Sequence, residues 1–159
     1  MKKSSRHSKI TGDFAEGLVL YWLSKYGYEC ARVDHTGIDL IARDPDSATV
    51  LGISVKCRSR YAGTANVSVN LPPDGFDKAR QAYQAFGCVP HYPIVVDGAE
   101  TIPCFILQLD HLEQVAGGSP GGMRYWQMTD PCLAKYRVDP LVKGFELVTA
   151  ACSWRDRLD

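Results

Sequence analysis

The chain has 159 residues, 45% hydrophobic and 23% charged, an ordinary globular composition that excludes a disordered segment or a coiled coil. A single domain of about this size buries some two-thirds of its unfolded surface and needs no disulfide or metal staple. Eighteen basic residues balance eighteen acidic ones, which argues against a protein that coats nucleic acid but admits an enzyme with a local basic groove.

No run approaches the ~20 apolar residues that span a bilayer. The basic start, residues 1–7, leads into no apolar signal segment. The sequence therefore predicts a cytoplasmic protein without membrane contact. Lys2, Lys3, Arg6 and Lys9 make residues 1–9 a basic arm, whose default reading is a solvated surface. Residues 10–116 read as the core. The glycine-rich stretch 116–122 then opens a C-terminal appendage of the same domain, 117–159.

In chain order, a helix is predicted from Gly12 to Tyr26, with Thr11 as N-cap and Gly27 as stop. At about 100° per residue its apolar side chains nearly encircle the axis, which predicts a largely buried helix. Phe14, Leu18 and Trp22 take one side, Leu20 and Leu23 the other, and Glu16 falls between Leu20 and Leu23. A carboxylate in that position should be partly desolvated.

Strands follow at Tyr28–Val33, Ile38–Arg43 and Thr49–Cys57, the last two joined by the turn Asp44–Ser47. The third alternates, with Leu51, Ile53, Val55 and Cys57 on one face and Gly52, Ser54, Lys56 and Arg58 on the other. A four-residue turn would set Arg43 opposite Ala48 and bring Asp39 to the face of Ser54 and Lys56. A slip of two residues preserves that face. A short strand Asn66–Leu71 precedes a helix from Gly75 to Phe86, with Phe76, Ala79, Tyr83 and Phe86 on its apolar side. Strands at Tyr92–Val96 and Pro103–Leu109 and a short helix from Asp110 complete a mixed sheet flanked by helices.

Six cysteines stand singly, without C-x-x-C pairs or zinc-ligand spacing, and are expected as reduced thiols. No G-x-G-x-x-G or P-loop occurs, so nothing points to a nucleotide cofactor.

Asp39, Lys56 and Glu16 carry the chemistry. A carboxylate holds a hard divalent cation, and a lysine beside it can orient or deprotonate water and stabilise charge on a phosphoryl oxygen. Each has a plainer reading: Asp39 as a turn-adjacent residue in a structural ion pair with Arg43 or Lys56, Lys56 as a surface residue, Glu16 as a partner of backbone or of Lys56. Asp34 and His35 are expected as exposed loop. Arg58, Arg60 and Tyr61 follow Lys56 and could contact phosphates or stack on a base, or simply line an exposed loop.

Gly37-Ile38-Asp39-Leu40-Ile41, followed by Ser54-Val55-Lys56, resembles the PD-(D/E)XK nuclease superfamily, which includes restriction endonucleases and Holliday-junction resolvases. The order helix with Glu16, strand, G-x-D, hairpin, x-x-K, helix also agrees, over roughly residues 10 to 97. The resemblance implies a restriction-endonuclease-like α/β fold and Mg²⁺- or Mn²⁺-dependent cleavage of DNA, with a homodimer left open. It makes Asp39 a catalytic metal ligand, Lys56 the catalytic lysine and Glu16 the accessory acid, with the Val55 carbonyl as a further ligand. Ser54 departs from the pattern, since an acid is usual there. Either the site lacks that acid, or Asp77 or Asp74 on the following helix supplies it. The alternative function is a weakened or inactive member of the fold that binds DNA or protein.

Overall fold

In the computed structural model, residues 5–60, 68–98, 100–119 and 121–149 are described. The first helix, α1 (His7–Lys25), begins earlier than the sequence predicts. The sequence places residues 7–9 in a basic arm; they form the first turn of α1 instead. Thr11 is no cap: its Oγ1 donates back to the His7 carbonyl at 2.8 Å, as a hydroxyl inside a helix does. No breaker lies between residues 7 and 12, and the Lys9–Asp13 pair at 3.0 Å supports the extension. Nor is α1 buried all round. Only Ala15, Val19 and Leu23 are buried, because the helix rests one face on the sheet and leaves Ile10, Phe14 and Tyr21 exposed. Burying Val19 and Leu23 contributes about 1.5–3 kcal/mol each.

The strands are β1 (Glu29–His35), β2 (Ile38–Arg43), β3 (Val50–Ile53), β4 (Lys56–Ser59), β5 (Ser68–Leu71), β6 (Val89–Asp97), β7 (Thr101–Gln108), β8 (Gly117–Gly118), β9 (Arg124–Gln127) and β10 (Lys143–Val148). The helices after α1 are α2 (Pro73–Phe86), α3 (Leu109–Val115) and α4 (Asp130–Val138). The main sheet runs β1-β2-β3-β6-β7-β10, and β4 continues β3 alongside β6. Both β3 and β4 lie parallel to β6, while the other neighbours in this sheet are antiparallel. A small sheet β5-β9-β8 stands apart. No helix among the described residues is long and apolar enough to cross a membrane.

Two hydrophobic clusters cover the two faces. On one, Ala15, Val19 and Leu23 of α1 meet Leu40, Ala42, Leu51 and Ile53. On the other, Phe76 and Ala79 of α2 join Tyr92, Ile94 and Leu107 with Trp126 and Tyr136. The segment beyond the glycine-rich stretch thus feeds the core: Trp126 is fully buried and stacks on Tyr136 at 3.7 Å, and β10 extends the main sheet beside β7. Tyr125 stays exposed.

Pro73 opens α2 with its φ preset, and Gly87 ends it in the left-handed region at φ 61°. Its buried stripe is Phe76, Ala79 and Ala82 rather than the expected run through Tyr83 and Phe86. The last turn extends past the sheet contact, and there Phe86 meets the His35 ring edge-on at 4.9 Å. Gly37, in the turn between β1 and β2, has φ 97°, and a Cβ on it would strike the Lys78 carbonyl of α2. The turn therefore seats directly on the α2 backbone.

Cys30, Cys57, Cys88, Cys104 and Cys132 are free thiols, and Cys152 lies outside the described residues. Burial pushes the Cys57 thiol up to about 11, so it is a poor nucleophile.

Candidate active site

Asp39 occupies a place where both neighbouring strands are irregular. On one side, β1 and β2 pair Arg32 with Leu40 and then His35 with Ile38, so two residues of β1 stand opposite Asp39 alone. Such a bulge re-aims side chains next to it. On the other side, Arg43 pairs with Val50 and Leu40 with Ile53, which is the two-residue slip from the simplest turn, and the ladder stops there. The expected single strand Thr49–Cys57 is broken at Ser54–Val55 because Ser54 N–H turns to the His91 carbonyl of β6, at 2.9 Å. The freed Val55 N–H donates to Asp39 Oδ2 at 2.6 Å. A backbone break thus fixes the carboxylate.

Lys56 stands beyond the break. Its ammonium donates to Ser54 Oγ at 2.7 Å and lies 5.7 Å from the centre of the Tyr92 ring. Ser54 is only 5% exposed, the sole buried polar residue among those described. Tyr92 in turn is anchored by its hydroxyl, which donates to the Gly75 carbonyl at 3.1 Å. Parallel pairing of Lys56 with Ile94 sets this arrangement, with Tyr92 on the same face two residues earlier.

Burial pulls the Lys56 pKa down from its usual 10.5, and the nearby charges of Asp39 and Glu16 oppose this without cancelling it. Between the lowered folded pKa and the unfolded one, the unfolded chain binds more protons, so stability rises with pH across that interval. Below it both states are protonated, and the folded state carries the whole cost of the half-buried ammonium. Lys56→Met should therefore flatten the alkaline limb of a pH–stability curve measured by urea unfolding up to pH ~10. An unchanged slope would assign that limb to another group.

Glu16 reaches the cluster from α1 with its side chain 29% exposed. Burial first, then the charge of Asp39, raises its pKa, and Arg32 partly offsets them. A carboxylate whose charged form is disfavoured by burial and by a second carboxylate is a natural seat for a cation. Among the described residues no three of His, Cys, Asp and Glu gather as a metal cluster. Magnesium asks for less: it keeps several waters and takes one or two carboxylates together with substrate phosphates. Asp39 and Glu16 fit that requirement.

The other candidate residues fall elsewhere. Asp74 pairs with Lys78 at 2.8 Å and Asp77 with Arg80 at 3.9 Å, both along α2 and both largely exposed. Neither is among the charges that act on Lys56. Arg60 is held by Asp130 of α4 at 2.8 Å, Arg58 is exposed, and Tyr61 lies outside the described residues. Asp34 and His35 are exposed at the end of β1. Tyr92 and Arg32 are the participants that sequence reasoning misses. Tyr92 reads as one more apolar strand residue, and only the parallel register of β4 on β6 brings it to Lys56.

No family model matches the chain, and no curated protein matches it. Among solved structures it is similar to Hjc, a Holliday junction resolvase of the archaeal hyperthermophile Archaeoglobus fulgidus, with a TM-score of 0.53 and 16% identity over 75% of this chain and 91% of that one. A restriction endonuclease in complex with substrate DNA matches with a TM-score of 0.44 and 14% identity over 99% of this chain and 82% of that one. The fold is a restriction-endonuclease-like mixed α/β fold.

Proposed function

We propose that the chain is a divalent-cation-dependent nuclease that hydrolyses phosphodiester bonds of DNA. One observation carries this reading: on a nuclease fold, the half-buried Lys56 ammonium, held by Ser54, takes the charge of two carboxylates, Asp39 and Glu16, brought from a strand and a helix. These two acids, with the Val55 carbonyl, would hold Mg²⁺ or Mn²⁺, which when bound supplies Lewis acidity and acidifies water. Lys56 donates to a phosphoryl oxygen as negative charge builds there. Asp39, fixed by Val55 N–H, would hold the cation from a set position. Arg58 is exposed and would meet the DNA backbone.

Cleavage of plasmid DNA with Mg²⁺ or Mn²⁺, stopped by chelator, tests the proposal. Cleavage unaffected by chelator would refute it.

A second reading rests on Ser54. Its hydroxyl is engaged by Lys56 where the fold's nucleases usually carry an acid, as in a site that has lost metal affinity and binds DNA or protein without cutting. Ser54→Glu separates the two. The side chain points at the Lys56 ammonium, so an acid there should strengthen Mn²⁺ binding and speed cleavage in a weakened site. A fall in both would mean that the site is already complete and that a further carboxylate over-charges it.

A further inference from the structure

Arg32 lies across α1 at the level of the candidate site. Its Nη1 stands 3.8 Å from Glu16 Oε2, a charge pair longer than a hydrogen bond. Its Nη2 donates to the Asp13 carbonyl at a long 3.3 Å, and a Cβ on Gly17 would stand only 3.2 Å from the same atom. The missing side chain at Gly17 is thus what gives the guanidinium its seat against the helix. The seat is loose, since the Arg32 side chain is 49% exposed and its contacts to the helix are at the long end of their range. The neighbouring cations are held more closely, Lys9 on Asp13 at 3.0 Å and Lys56 on Ser54 at 2.7 Å.

We propose that Arg32 is a positioning residue that competes with the divalent cation for Glu16, and that cation binding frees its guanidinium for a DNA phosphate. The inference rests on the nuclease reading above. Glu16 is paired with Arg32 and also takes the charge of Asp39, and a carboxylate committed to a divalent ion holds a guanidinium less strongly. A planar guanidinium with two free N–H edges is the side chain best shaped to grip a phosphate. Arg32 sits on β1 just before the bulge opposite Asp39, so its release leaves a positive charge beside the proposed cation site. Cation and DNA would then bind cooperatively, because each relieves the pair that the other needs broken.

The test begins with calorimetric titration of the full chain with Mn²⁺ alone. Arg32→Gln should bind Mn²⁺ about two- to fivefold more tightly than the parent, the scale of one partly exposed ion pair. In a Glu16→Gln background the same change should add nothing. An equal gain in both backgrounds would overturn the proposal, since it would reflect only the removal of a positive charge from the neighbourhood.

Duplex binding, measured by fluorescence anisotropy with and without Ca²⁺ in place of the catalytic ion, reads the second half. The parent should bind DNA more tightly with Ca²⁺. Arg32→Gln should lose that increment, and Arg32→Lys should recover part of it. Retention of the full increment in Arg32→Gln would refute the phosphate contact. A parent that binds no Mn²⁺ would bring down the nuclease reading and this inference together. A parent that binds Mn²⁺ with an affinity unchanged in Arg32→Gln would bring down the role of Arg32 alone.

Discussion

Asp39→Asn should slow metal-dependent DNA cleavage by at least about 10²-fold, the usual cost of removing one group that stabilises transition-state charge. It should leave the fold intact. The choice of asparagine follows from the site's construction. Val55 N–H donates to Asp39 Oδ2 at 2.6 Å, and an amide oxygen can still accept that bond while no longer offering the cation a charge. Alanine would remove charge and acceptor together, leaving the Val55 N–H unpaired at a cost of about 1–3 kcal/mol and mixing stability with chemistry. Three readings on the asparagine protein settle the matter: plasmid cleavage, Mn²⁺ affinity and the urea midpoint. Parental cleavage rates in a folded Asp39→Asn protein would remove Asp39 from the chemistry.

Gly37→Ala should be the most destabilising single exchange in the hairpin region, by about 3 kcal/mol or more. Two costs add. A residue with a side chain pays roughly 1–2 kcal/mol to occupy the left-handed region, and Gly37 sits at φ 97°. The new methyl would also meet the Lys78 carbonyl, which is helix backbone and cannot turn aside. The turn must lift from α2, and Asp39, two residues on, moves with it. Cleavage should therefore fall together with stability. Gly12→Ala is the matching control: nothing lies within 4 Å of a Cβ there, and the exchange inside α1 should stabilise by up to about 1 kcal/mol. Urea midpoints of the two proteins make the comparison. A loss below 1 kcal/mol at Gly37, roughly the level of an ordinary surface exchange, would mean that the turn is not seated on the helix.

Much of this site is legible in the chain because it depends on local alternation. The bounds of β2, Ile38–Arg43, are those the chain predicts, and the hairpin slips by two residues, the shift that preserves its faces. The half-desolvated Glu16 follows from the helical wheel. What is not legible is set by partners distant in sequence. The break at Ser54–Val55 arises from the Ser54 bond to the His91 carbonyl, and no local pattern announces a parallel neighbour. The same holds for Tyr92 under Lys56. In α1 the apolar residues are evident, but periodicity does not say how many faces the fold will cover. Only the face against the sheet is buried, so Phe14 and Tyr21 meet solvent. The C-terminal segment is opaque for a related reason: its strands β9 and β10 pair with β5 and β7.

The pairing order also sets the sequence in which the molecule can assemble. β1, β2 and β3 form a meander of chain neighbours, and the Asp39–Val55 bond closes over only sixteen residues. Closing such a short loop costs little entropy. β6 by contrast lies parallel to β3 only after the chain has passed through β5 and α2, and Val69 finds Trp126 later still. Contacts of that kind dominate the folding barrier. The carboxylate and its backbone amide thus close over a short loop, while the contact of Lys56 with Tyr92 depends on the longer crossover to β6. The burial that depresses the Lys56 pKa therefore depends on that crossover, and undocking β6 would return the ammonium to water and its pKa toward the usual value.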